Sequence, residues 1–132
     1  MTQIVNVKVS NIRPKYNDLS EWCFDSNNVY IARRGVVLIN KRRYPEINSI
    51  WANPFKINKE SDRDTVIKQY EFYIRNKLNS GEISIDELLK LKDKNLGCWC
   101  YPEPCHGDIL IKLIKEYDRR IDMSADLMGT HF

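Results

Sequence analysis

Apolar and polar positions change their period several times along the chain, and each change predicts an element. Residues 4–9 alternate, Val5, Val7 and Val9 against Asn6 and Lys8, which is the pattern of an edge or half-buried strand. The alternation is lost over residues 11–28, where Pro, Asn, Asp and Ser mix with Trp22, Cys23 and Phe24; this reads as an irregular segment with one packed anchor. Short apolar runs at 29–32 and 36–39 predict two more strands, with Arg33-Arg34-Gly35 between them as a hairpin turn. The Asn-Pro step in Ser49-Ile50-Trp51-Ala52-Asn53-Pro54-Phe55 predicts a loop.

Helical spacing then takes over. Val66, Ile67, Tyr70, Tyr73, Ile74 and Leu78 share one helical stripe, opened by Ser61 with Asp64 as a partial capping box and stopped by Asn79-Ser80-Gly81. Ser84 and Glu87 form a full capping box ahead of a short helix through Leu88, Leu89 and Leu91. Residues 95–100 read as a short buried strand. A last helix opens near Gly107, since Ile109, Leu110, Leu113, Ile114, Tyr117 and Ile121 recur at its period. The order of elements predicts an α/β fold: a single small domain over residues 1–122, a mixed β-sheet flanked by helices, followed by a loosely ordered tail over 123–132.

Composition narrows the class. The 132 residues are 42% hydrophobic and 30% charged, the balance of a soluble globular domain with an ordinary core. No apolar run approaches the roughly 20 residues of a membrane span, and the N-terminus lacks the marks of a signal peptide. A cytoplasmic, reducing setting is expected, in which clustered cysteines bind metal, react or pack rather than pair. A net charge of +3 argues only weakly for nucleic acid.

The densest chemistry lies in Leu96-Gly97-Cys98-Trp99-Cys100-Tyr101-Pro102-Glu103-Pro104-Cys105-His106-Gly107-Asp108. Cys98 and Cys100 fall on one face of a strand and Trp99 on the other. Cys105, His106 and Asp108 fall at a helix N-terminus, where backbone N–H groups and the dipole favour a thiolate or an anion. Three readings stay open. Cys98 and Cys100 are small buried hydrophobes; or Cys98, Cys100, Cys105 and His106 hold zinc; or Cys105, His106 and Asp108 are catalytic groups above a floor of Cys98 and Cys100. The C-x-C-x4-C-H spacing departs from the paired C-x2-C of zinc sites, so the expectation is no tightly bound metal, with Cys105 the most reactive thiol. Elsewhere, Trp51 and Asn53 suit either a structural turn or an edge that stacks on a planar ring and reads its polar groups. Arg33, Arg34, Lys41, Arg42 and Arg43 suit either a solvated surface or contact with phosphate. Arg63 at a helix start is equally two-sided.

Taken together, Val29-Tyr30-Ile31-Ala32-Arg33, Ser49 to Phe55, Arg63 with Val66, Ile67 and Tyr70, and Leu96 to Asp108 resemble one family. It is a domain-of-unknown-function family of phages, bacteria and large DNA viruses, with the pattern Y-I-G-R, W-G-N-P-F and C-x-C-x-P-x-x-C-H-G-D. The resemblance covers residues 29–114, with Ala32 and Ala52 where the family has Gly and residues 34–48 as a basic insertion. It implies that Arg33, Trp51, Asn53, Arg63, Cys98, Cys100, Cys105, His106 and Asp108 belong to one pattern, and it brings no activity.

The expected function is binding or processing of a nucleotide or another phosphorylated ligand. Arg33, Trp51, Asn53 and Arg63 would bind it beside the Cys105, His106 and Asp108 centre. The rival is a non-enzymatic module, zinc-stabilised or not, that binds nucleic acid or protein through Arg33, Arg34, Lys41, Arg42 and Arg43.

Overall fold

A computed structural model describes the backbone of residues 1–129 and the side chains of residues 1–123. Three strands make one parallel sheet in the order β1 (Gln3–Asn6), β5 (Asn95–Cys98), β2 (Asn28–Tyr30). β5 is central: it pairs Gln3 with Asn95 on one side and Asn28 with Asn95 on the other. Between β1 and β2 run two short helices, α1 (Val9–Ile12) and α2 (Leu19–Phe24); between β2 and β5 run α3 (Arg63–Ser80) and α4 (Ile85–Leu89); α5 (His106–Gly129) follows β5.

Side chains of the strands alternate between two cores, as period-2 geometry requires. Ile4, Val29, Ile31, Leu96, Cys98 and Cys100 face the helices α3, α4 and α5, meeting Tyr70, Ile74, Leu88, Leu110 and Leu113. Val5, Val7, Tyr30 and Trp99 face Ile12, Leu19 and Trp22 on the opposite side. Gly97 is required between them. A Cβ built there would lie 2.6 Å from Trp22 Cζ3 and 2.8 Å from Val7 Cγ1, so the indole rests directly on the strand backbone.

Several boundaries differ from the sequence expectations. Residues 11–28 are not wholly irregular: α1 and α2 have four and six residues, too few for a period to stand out. Asp18 starts α2 by accepting the Glu21 N–H at 3.1 Å. Arg33-Arg34-Gly35 is not a hairpin turn. β3 (Val37–Ile39) folds back on β4 (Arg42–Tyr44) through Asn40 and Lys41, both at positive φ (52° and 65°), as a two-residue hairpin loop demands. The antiparallel component of the fold is thus a separate two-stranded hairpin beside the parallel sheet. At α3 the cap is Asp62, one residue beyond Ser61, accepting from Thr65 N–H at 2.8 Å. The Ser84–Glu87 capping box forms as expected, and Gly81 ends α3 at φ 79°. α5 runs through Gly129, into the stretch read as a tail over 123–132, and residues 130–132 lie outside the described residues. Among the described residues, no helix is long and apolar enough to cross a membrane.

Candidate functional site

In open parallel sheets the strands' carboxyl ends carry the ligand crevice, because the chain there diverges into loops and helix N-termini point toward it. Here β2 continues into Ile31, Ala32 and Arg33, and β5 into Trp99, Cys100 and the turn before α5. A cavity of about 510 Å³ opens among these ends. Its lining includes Arg33, Asn53, Arg63, Cys98, Cys100, Cys105 and His106, so most of the residues singled out in the sequence do meet in one place. Trp51 and Asp108 do not line it.

Each wall is held by contacts the sequence does not announce. Arg33 turns its guanidinium back onto the loop of residues 49–55: Nε and Nη2 donate to Asn53 O at 3.0 and 2.8 Å, and Nη2 also to Phe55 O at 3.1 Å. Asn53 folds the same loop, its Oδ1 accepting from Phe55 N–H at 2.9 Å and its Nδ2 donating to Val66 O at 3.3 Å. Both residues therefore shape the cavity edge with most of their polar atoms committed. Trp51 is 4% exposed and packs in the core, its carbonyl accepting the Tyr70 hydroxyl at 2.7 Å, so it offers no face for stacking on a ligand. The aromatic rings that do line the cavity are Phe55 and Trp99. Trp99 is positioned by its indole N–H donating to Tyr30 Oη at 2.8 Å, while the Tyr30 hydroxyl donates to Arg33 O at 2.7 Å. Burial raises the Tyr30 phenol to about 12, which keeps it a donor.

The turn into α5 uses its functional-looking residues structurally. Cys105 stands just before the helix and accepts the Gly107 N–H on Sγ at 3.3 Å, while the Asp108 carboxylate accepts the Cys105 N–H at 3.0 Å. This is a reciprocal cap with a thiol in place of a hydroxyl. It occupies N–H groups that an anion would otherwise use, and it turns Asp108 away from the cavity to the outer groove it shares with Arg75 and Lys112. Gly107 lets α5 approach the sheet: a Cβ there would lie 3.1 Å from both Ile4 Cδ1 and Ile31 Cδ1.

His106 is 8% exposed, with Nε2 2.6 Å from Ile31 O and its ring edge-on to Tyr70 at 5.0 Å between centroids. A carbonyl only accepts, so Nε2 carries the proton and Nδ1 is the bare nitrogen. Burial holds the imidazole below its ordinary pKa, with Arg33 adding to the effect against the Ile31 hydrogen bond. The residues do not fit the four-ligand zinc set. His106 Nε2 is engaged by backbone, and among the described residues no three His, Cys, Asp or Glu side chains gather as a metal centre would require.

Cys98 and Cys105 are instead partners. Their sulfurs are 3.6 Å apart, and both side chains are buried at 1% and 3% exposure. The Cys105 S–H donates to Cys98, and that hydrogen bond, against the effect of burial, holds the Cys98 thiol below its ordinary pKa. Cys105, as the donor held against a thiolate, is pushed up. The expected reactivity of Cys105 thus concerns a hydrogen-bonded pair of thiols and not a lone one.

Three further residues shape the site, Arg63 as the sequence marked it, and Asn6 and Lys56 without any signal of their own there. Arg63 Nη1 donates to Pro104 O at 3.0 Å and straps the start of α3 to the Pro-Glu-Pro turn. Asn6, at the end of β1, donates to Tyr101 O at 2.8 Å and holds the other side of that turn. Lys56 adds a third cation to the lining, beside Arg33 and Arg63, and among the described residues no Asp or Glu lines the cavity.

Fold and site together define a small layered α/β protein with a cation-rimmed, cysteine-floored cavity at the carboxyl ends of a three-stranded parallel sheet. The chain belongs to the family described as a domain of unknown function (DUF4326), whose model matches residues 15–116. It is 33% identical over 67 residues to an uncharacterized 12.4 kDa protein in the nrdA-td intergenic region of Enterobacteria phage T4. That match covers 50% of this chain and 60% of the phage protein. No solved structure matches the chain.

Proposed function

We propose that the cavity binds a small phosphorylated ligand with a flat or apolar body, a nucleotide being the simplest chemistry that fits. The observation that carries this is the lining: Arg33, Lys56 and Arg63 supply cationic groups without an opposing carboxylate, over walls of Trp99, Phe55, Ile57 and Val66. Cations without acids select an anion, and apolar and aromatic walls select a body that stacks or packs. The anion belongs near Arg63 and Lys56, since the first turn of α5 is capped by its own side chains. Catalytic roles for Cys105, His106 and Asp108 are weaker than a binding role, because all three are engaged in holding the turn. Calorimetric titration with nucleoside mono-, di- and triphosphates, the matching nucleosides and inorganic pyrophosphate tests the reading. Saturable binding is expected for a phosphorylated compound, weakened about tenfold or more in Arg63→Ala by loss of a charge-assisted contact. No saturable binding across that panel at millimolar concentration would end it.

A second reading has one observation of its own. Lys41, Arg42 and Arg43 are exposed on the β3–β4 hairpin, with Arg34 exposed just before it. A single-stranded or duplex nucleic acid that bound there would lose affinity steeply as salt is raised. Arg33, committed to the loop carbonyls, does not belong to that surface.

A further inference from the structure

We propose that Cys98 and Cys105 are a redox-active dithiol that exchanges with small carboxylate-bearing disulfides entering the cavity, Cys98 attacking and Cys105 resolving. The inference stands apart from the phosphorylated-ligand reading, for it rests on the sulfur pair and needs no nucleotide.

Three features carry it. The sulfurs are 3.6 Å apart and need to close to the roughly 2.0 Å of a disulfide bond, a movement within reach of side-chain rotation. Both line the cavity, so a reagent reaches them from the open side although each is buried within the protein. The nucleophile and the proton donor are already distinguished, because Cys105 donates to Cys98. Arg33, Lys56 and Arg63 favour a reagent bearing carboxylates over a neutral one.

In the first step the Cys98 thiolate forms a bond to one sulfur of the small disulfide, and the disulfide's S–S bond breaks to release a thiolate. In the second step Cys105 gives its proton to a released thiolate and bonds to the Cys98 sulfur, expelling the second small thiol as thiolate. The protein dithiol loses two electrons and the small disulfide gains them.

The test uses the full chain and glutathione disulfide as probe, with intact-mass measurement and peptide mapping after acid quenching. Wild type is expected to lose two hydrogens without a lasting adduct and to yield a Cys98–Cys105 cross-linked peptide. Cys105→Ser keeps a donor beside Cys98 but no resolving thiol, so it is expected to stop with one glutathione on Cys98. Raising salt is expected to slow the reaction with glutathione disulfide and to leave that with the neutral 2-hydroxyethyl disulfide unchanged. Adducts confined to Cys23 or Cys100, or a glutathione lodged on Cys105 while Cys98 stays free, would overturn the assignment. So would a folded wild-type protein that stays fully reduced under conditions that oxidise the urea-unfolded chain. Cys98→Ser is followed by its thermal melt; if it is unfolded, the wild-type and Cys105→Ser maps decide alone.

Discussion

At position 106 an imidazole lies 8% exposed, with its Nε2 proton given to a backbone carbonyl. Burial first, and the nearby Arg33 charge after it, set its folded pKa below the 6.5 of the free side chain. The folded state thus prefers the neutral ring. Its contribution to stability is full above the unfolded pKa and is lost as pH falls from there toward the lower folded value. The urea midpoint of the wild type is expected to decline from about pH 6.5 to pH 5, and less steeply in His106→Gln. Equal slopes would show that the ring does not titrate in this window. Arg33 makes the second residue-scale case, because it is charged yet spends its fork on two carbonyls. Arg33→Lys retains the charge and loses the geometry. A destabilisation of about 1–3 kcal/mol in urea is expected, from donors and carbonyls left unpaired in a half-buried setting.

For the elements, the informative positions are where one packs on another. α2 meets the sheet through Trp22 lying on Gly97, and a methyl group at Gly97 has no room between that ring and Val7. Gly97→Ala is expected to cost about 1–3 kcal/mol of overpacking, read as a fall in the urea midpoint and a shift of Trp22 fluorescence. The capping box of α4 is a local device by contrast. Ser84→Ala is expected to cost about 1 kcal/mol and to leave the cavity unaltered, as ligand binding would report. The strand pattern of residues 95–100 and the helical stripe of 66–78 were legible because period-2 and period-3.6 burial are set by each element's own geometry. α1 and α2 were not, since four to six residues complete barely more than one turn.

Over the whole molecule, α3 and α5 are joined outside the core by a charged lattice. Arg75 bridges Glu71 on its own helix at 2.9 Å and Glu116 on α5 at 2.8 Å, and Lys112 reaches Glu71 at 3.1 Å. These groups are a quarter to more than half exposed, so solvent screens them and their net worth is modest. Arg75→Ala is expected to cost about 1 kcal/mol at low salt and to lose most of that difference in concentrated salt. An effect that salt leaves intact would assign Arg75 to packing instead of charge. The cavity is also a property at this scale: Arg33 follows β2, Asn53 comes from a loop, Arg63 starts α3 and Cys98 ends β5, and only the parallel order β1-β5-β2 brings those four together.

By itself the chain determined its class, an α/β domain, along with the paths of β5, α3 and α5, the Ser84 box, the Gly81 stop and the shared face of Cys98 and Cys100. Each of these follows from spacing within one element, where the repeat of the backbone makes neighbours of fixed positions. It also marked Cys105, His106, Asn53, Arg33 and Arg63 as residues of one pattern. Their roles were decided by tertiary structure. That Trp51 is core while Trp99 lines the cavity, that Asp108 caps a helix from outside, that the Arg42 and Arg43 cluster rides a hairpin, and that Cys105 donates to Cys98 all depend on distances between segments far apart in the chain. The orientation of a side chain toward solvent, cavity or core is settled by what packs against its element, and no local spacing encodes that.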